Sequence, residues 1–176
     1  MIAATARSTA VVEQREDITP NVVLLTLRLP GSALGPVPPG SHVDVTVHPL
    51  TGSDTRSYSL VDLGHDDGLL RIAVRRHDEG RGGSAWMHTL KAGDEVQVTG
   101  PIDEFGLNPG SVPSVLLAAG IGITPILGLA RALRTRGGDY RVLYTGRTRR
   151  SMPFTGELEQ AHPGRVISRN RRRQGG

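Results

Sequence analysis

The 176-residue sequence contains no cysteine. That absence excludes a disulfide, a thiolate zinc site, a cysteine nucleophile and an all-cysteine iron–sulfur cluster within the chain. Aromatic residues are almost as scarce, at 3%, and they are scattered. No basic surface is therefore interleaved with the stacking platforms that hold single-stranded nucleic acid. Long apolar runs are missing too. The longest, near residues 115–130, is interrupted by Gly120, Gly122, Thr124 and Pro125 and falls short of the roughly 20 residues that span a bilayer. The N-terminal MIAATARSTAVVEQRED lacks the apolar centre of a secretion signal. We expect a soluble, cytoplasmic protein with no nucleic-acid and no membrane partner.

The net charge of +4 does not alter that expectation, because it lies at one end. Residues 165–176 (RVISRNRRRQGG) hold five arginines and no acid; setting those five apart from the 21 basic side chains leaves 16 against 17 acidic ones, a net of −1. The six histidines (42, 48, 65, 77, 88 and 162) form no familiar ligand spacing, and His42 and His48 stand about 20 Å apart on a strand rising ~3.3 Å per residue. No metal site is expected. No serine sits in a G-x-S-x-G elbow, so hydrolase chemistry has no candidate nucleophile.

What is present reads as globular: 37% hydrophobic and 22% charged residues with a mean hydropathy of −0.22. The first 108 residues show short period-two strands separated by turns. Val23, Leu25, Leu27 and Leu29 alternate in one, and Val43, Val45 and Val47 alternate with His42, Asp44, Thr46 and His48 in another. LLRIAVRR (69–76) and DEVQVTG (94–100) read the same way, and a short helix is predicted over 84–90. Five or six strands at this spacing predict an all-β antiparallel barrel. From residue 109 the period changes. SVLLAAG (114–120) is a strand covered on both faces, residues 124–137 have helical spacing, and YRVLYTG (140–146) is a second strand. A further helix over 153–161 and a third strand at 165–167 complete a partial α/β, Rossmann-like unit, joined to the barrel through residues 107–111.

Three motifs carry the chemistry. Arg56-Ser57-Tyr58-Ser59-Leu60 combines an arginine able to fork onto phosphate with an aromatic ring and hydroxyls, the set needed for a planar phosphorylated cofactor; an ordinary strand with a solvent-facing arginine is the alternative. Gly80-Arg81-Gly82-Gly83-Ser84 offers converging backbone N–H groups, with Ser84 as helix cap, and reads either as an anion nest or as a flexible hairpin. Ala118-Ala119-Gly120-Ile121-Gly122-Ile123-Thr124-Pro125 follows an apolar strand and opens a helix with Thr124 as cap. That is the setting of a dinucleotide fingerprint, although the third glycine is missing.

In this order, together with Ile72-Ala73-Val74-Arg75 and Glu104-Phe105, the motifs resemble the ferredoxin reductase-like flavoproteins, most closely the phthalate dioxygenase reductase and vanillate demethylase reductase branch, over residues 8–164. The resemblance implies a flavin held by residues 1–108. Arg56, with Ser57 beside it, and Gly82, Gly83 and Ser84 would hold its phosphate; Tyr58 would pack on the isoalloxazine and Ser59 would lie near N5, with Ile72, Ala73 and Val74 in the cofactor-binding set. Residues 109–176 would form a partial NAD-binding domain in which Thr124 sits near flavin and nicotinamide while Gly120 and Gly122 permit close approach. Ser59 and Thr124 are the implied catalytic residues. The match of GRGGS favours FMN, with FAD as the alternative, and NADH is the implied electron donor.

The function so implied is an NADH-dependent flavin oxidoreductase, the electron-transfer component of an aromatic-ring dioxygenase or demethylase system. Its electron acceptor would be an oxygenase component or an iron–sulfur protein. The alternative is a non-catalytic flavin-binding fragment. Relative to the family pattern the chain is read as truncated, without a ferredoxin domain, and the arginine-rich 165–176 as a non-native tail left by a frame shift or a shortened gene model.

Overall fold

The computed structural model describes residues 7–31, 37–50, 52–64, 68–107 and 113–170. Six strands form one antiparallel sheet: β1 (Arg7–Thr19), β2 (Val22–Arg28), β3 (His42–Val47), β4 (Asp54–Ser59), β5 (Leu70–Arg75) and β6 (Glu95–Ile102), in the order β4-β3-β6-β1-β2-β5. A short helix, α1 (Gly83–Met87), lies between β5 and β6.

The expected barrel does not close. β4 and β5 are the two edges of an open sheet and meet only at a single bridge between Leu60 and Ile72. The chain leaves the strand at Leu60, whose N–H donates to Ser41 O, while Val61 N–H donates to Arg71 O; one bridge replaces the ladder that closure needs. Alternating apolar residues predict a buried face, which the sheet has, but they do not encode whether its two edges pair.

The second unit is a three-stranded parallel sheet, β7 (Ser114–Ala119), β8 (Tyr140–Gly146) and β9 (Val166–Asn170), in that order. Helix α2 (Ile123–Thr135) joins β7 to β8 and α3 (Thr155–Ala161) joins β8 to β9. Both helices pack on one face, over Leu116, Ala118, Tyr140, Val142 and Tyr144. The opposite face carries the exposed Val115, Leu117, Leu143 and Ile167, so β7, expected to be covered on both faces, is covered on one: a continuous apolar run does not tell which side the helices take. The expected connection at 107–111 lies, apart from Leu107, outside the described residues, as do residues 171–176 of the arginine-rich tail; residues 166–170 of that tail form β9.

β2 explains how the two sheets meet. Val23, Leu25 and Leu27 fill the core of the first sheet, while Val22 and Leu24, pointing the other way, join Val61 and Ala73 in one apolar cluster with Ile123, Ile126, Leu127 and Ala130 of α2. The strand is thus buried on both faces. Gly128 lets α2 approach closely: a Cβ there would stand 3.4 Å from Gly40 N and from Asp62 Cβ. Arg131 of the same helix reaches Asp62 at 2.7 Å.

Candidate functional site

Strand pairing decides which side chains of the first motif act together. Arg56 lies opposite Val45 and Tyr58 opposite Val43, so both share the inner face of edge strand β4, whereas Ser57 and Ser59, opposite Asp44 and His42, lie on the outer face. The Ser57 hydroxyl donates to Asp44 Oδ1 at 2.6 Å. Arg56 and Tyr58 can therefore present side chains to one ligand, and Ser57 and Ser59 share that ligand only through the strand edge.

Arg56 is not idle. Its Nη2 stands 2.6 Å from Asp54 Oδ2, its Nη1 donates to Thr55 O at 2.8 Å, and Arg81 reaches the same carboxylate at 3.6 Å. The hydrogen bond from Arg56, then the Thr55 N–H, hold the Asp54 carboxyl below the ordinary carboxylate range. Burial pushes the Tyr58 phenol up to about 12, with Arg56 pulling the other way, so it is protonated at neutral pH.

The glycine loop meets this arginine. Gly82, at φ 83°, occupies the left-handed region and is the N-cap of α1, and a Cβ on Gly83 would stand 3.2 Å from Val47 Cγ2 and 3.4 Å from Arg56 Nε. The first two motifs, separated in sequence but joined where Arg56 meets Gly83, thus form one cradle that any side chain at Gly83 would fill. Two cations, Arg56 and Arg81, share one carboxylate there, which suits a phosphate. Ser84 does not cap the helix as expected; its Oγ accepts the His77 N–H at 3.0 Å and closes the loop instead.

On β5, Ile72 and Val74 point into the core of the first sheet, at 0% and 1% exposure, and Ala73 faces the second unit. Only the backbone of Ile72 and Val74 is left to meet a cofactor, and Val74 O already lies 2.9 Å from His88 Nε2. Arg75, at the end of β5, extends to Gly120: its Nη1 is 3.6 Å from where a Gly120 Cβ would be.

The third motif is a 3-10 turn, Gly120–Gly122, leading into α2. Gly120 has φ 53°. The helix begins at Ile123, so Gly122 and not the expected Thr124 is the N-cap, and Thr124 lies inside the first turn, 5% exposed, its hydroxyl donating to Ile121 O at 3.1 Å. A capping threonine accepts from an N–H; this one donates to a carbonyl and tightens the turn. Tyr144, fully buried, spans from Gly120 O (3.1 Å) to Pro153 O (3.0 Å), and burial raises its phenol pKa. Asp54 and Tyr144 are the functional neighbours that motif reading missed. Asp54 was discoverable, since a residue two before Arg56 on a strand shares its face; Tyr144 was not, because its partners come from two loops.

With this geometry in place the chain can be set against known proteins. Residues 9–106 match the oxidoreductase FAD-binding domain family. The phenoxybenzoate dioxygenase subunit beta of Ectopseudomonas oleovorans is 36% identical over 140 residues, covering 78% of this chain and 43% of that protein. An intact type IV self-sufficient cytochrome P450 monooxygenase superposes with a TM-score of 0.86 at 38% identity, over 93% of this chain and 21% of that one. Phthalate dioxygenase reductase, described as a modular structure for electron transfer from pyridine nucleotides to [2Fe-2S], superposes at 0.80 with 31% identity, over 94% and 51%. The chain spans about half the length, or less, of these relatives. The match to an FAD-binding family overturns the expectation of FMN and points to FAD. The motifs misled because a phosphate cradle reads the portion that FMN and FAD have in common and is blind to the adenylate.

Proposed function

The chain belongs to the oxidoreductase FAD-binding domain family, in the branch of the phthalate dioxygenase and vanillate demethylase reductases, and we propose that it works as an NADH-dependent reductase feeding an oxygenase system. The observation that carries this reading is the packing of Gly83 against Arg56, which joins two distant motifs into one cradle of phosphate-binding character. FAD, when bound, supplies the redox chemistry, accepting a pair of electrons from the nicotinamide and passing them on. The residues of the chain do the rest. We assign flavin binding to residues 1–108 and the nicotinamide to 109–176.

Arg56 exchanges part of its ion pair with Asp54 for the flavin phosphate, and Gly82, Gly83 and Ser84 supply backbone N–H groups to the same oxygens. Tyr58 offers a protonated phenol and an apolar ring to the isoalloxazine. Ser57 and Ser59, with the backbone of Ile72, Ala73 and Val74, would hold the ligand along the sheet edges, with Ser59 assigned to the redox-active part of the ring. Gly120, Gly122 and the turn that Thr124 tightens would hold the nicotinamide. The electron acceptor in this reading is an oxygenase component or an iron–sulfur protein. Among the described residues no helix is long and apolar enough to cross a membrane, and a cytoplasmic setting supplies the NADH this reading needs.

The test is a titration of the purified chain with FAD, followed by anaerobic NADH. Bound-flavin absorption that bleaches on NADH addition supports the proposal. Binding without bleaching leaves a non-catalytic flavin-binding protein, and failure to bind FAD overturns both readings.

A further inference from the structure

Resting on the nicotinamide reading above, we infer that the crevice at the carboxyl ends of β7, β8 and β9 accommodates a 2′-phosphorylated adenosine ribose, so that the chain accepts NADPH as well as NADH. The crevice measures about 670 Å³ and is open to solvent at the rim of Gly120, where β7 gives way to α2. That volume is within the range of small-molecule sites, and the carboxyl ends of parallel strands are where open α/β sheets bind ligands.

Its charge has one sign. Arg75 enters from the first sheet, Arg147 follows β8 and Arg169 stands on β9, and no aspartate or glutamate lines the crevice. In a β-α-β nucleotide unit the position after the second strand discriminates: a carboxylate there bonds the free 2′-hydroxyl, and an arginine accommodates a 2′-phosphate. Here that position reads Gly146-Arg147-Thr148-Arg149-Arg150-Ser151.

The arginines are sorted by what they already bind. Arg149 is committed to Glu159, at 2.8 and 3.1 Å, and to Ser168. Arg165 is 3.6 Å from Asp139 and lies over the Tyr140 ring. Arg75, Arg147 and Arg169 make no ion pair among the described residues. Three uncommitted cations around one concavity concentrate positive potential where a dianion adds most. The turn presenting Arg147 is held in shape: Thr148 N–H and Ser151 Oγ, and Ser151 N–H and Thr148 O, bond reciprocally, while Met152 packs on Gly146 so closely that a Cβ there would collide with it.

Calorimetric titration of the full chain with 2′,5′-ADP, 5′-AMP and inorganic phosphate tests this. We expect 2′,5′-ADP to bind at least about 10-fold more tightly than 5′-AMP, and Arg147→Gln to erase most of that ratio while leaving 5′-AMP and FAD affinities unchanged, as loss of one charge-assisted phosphate contact requires. Arg147 is exposed, so the variant keeps its fold, which circular dichroism checks. Equal affinities for the two nucleotides overturn the inference and leave the nicotinamide reading standing. Inorganic phosphate matching 2′,5′-ADP overturns it in favour of a plain anion site. Binding of neither nucleotide to chain that still binds FAD overturns the nicotinamide reading and this inference with it.

Discussion

Tyr144→Phe isolates a single hydroxyl whose loss should register in the second unit and not in the flavin cradle. The side chain is 0% exposed, and its one proton is shared between Gly120 O and Pro153 O at 3.1 and 3.0 Å. The phenyl ring still fills the core, so the cavity term is small. What remains is the loss of the hydroxyl's bonds to Pro153 O and to Gly120 O, the latter still accepting the Ile123 N–H, a cost of about 1–3 kcal/mol. For a chain of this length a kilocalorie corresponds to about 2–4 °C in Tm, so a loss near the middle of that range lowers Tm by about 4–8 °C. Because Gly120 O belongs to the turn at φ 53°, nucleotide affinity should fall along with Tm, whereas FAD affinity, set at Arg56 and Gly83, should not move. Thermal unfolding followed by circular dichroism, alongside FAD and 5′-AMP titrations, measures all three. A Tm within 1 °C of the parent would refute the assigned hydrogen bonds, and an equal drop in FAD affinity would refute the separation of the two sites.

The remaining expectations concern the cradle, the buried histidine and the contact between sheets. Arg56→Ala should weaken FAD binding by about 10-fold or more, from loss of a charge-assisted phosphate contact of roughly 1.5–3 kcal/mol; Asp54→Asn, which frees the guanidinium, should leave FAD affinity equal or higher, and weaker binding in that variant contradicts the competition we describe. His162 is 4% exposed, 2.6 Å from the Tyr140 hydroxyl, and burial, then the charges of Arg134 and Arg165, lower its pKa below the ordinary 6.5. The folded chain therefore binds this proton less readily than the unfolded one, so the stability His162 contributes is present above pH 6.5 and is lost as pH falls from there through the lower folded value. Urea unfolding at pH 7.5 and 5.5 should show that loss in the parent and a flatter profile in His162→Gln; identical slopes count against it. Gly128→Leu should cost about 1–3 kcal/mol by overpacking against Gly40, Pro39 and Asp62, read as a lower urea midpoint, and an unchanged midpoint would mean that α2 does not lie as close as described.

Much of this molecule is written in local pattern. YRVLYTG coincides with β8, and the continuous apolar run SVLLAAG contains β7, because a parallel strand packed under helices needs little beyond its own side chains to declare itself. β1 was not anticipated: RSTAVVEQREDIT alternates buried and exposed residues for only part of its length, and its register shifts at Val12/Gln14 and Asp17/Thr19 break the period. Barrel closure was misjudged for a different reason. It depends on whether Leu60 and its neighbours pair along the whole of β5 or only at Ile72, a question of edge contact on which hydrophobic alternation is silent. At the candidate site the residue types were legible and their directions were not, since the two serines of the first motif are turned away from its arginine and tyrosine by strand alternation alone.

The sharpest case is Ile72-Ala73-Val74-Arg75, four consecutive residues that serve three environments. Pairing with β2 sets Ile72 opposite Leu25 and Val74 opposite Val23, both in the core of the first sheet, and sets Ala73 opposite Leu24 and Arg75 opposite Val22, on the face that α2 covers. Ala73 is small enough for the helix to lie over it, and Arg75, one pleat further on, clears the helix and reaches the Gly120 turn. A strand of the first sheet therefore delivers a cation to the crevice proposed for the nucleotide, and it can do so only while α2 stays seated on β2. Loosening the Gly128 contact should accordingly impair nucleotide binding through Arg75 without touching a residue of the crevice itself, which ties the packing between the sheets to the chemistry proposed for them.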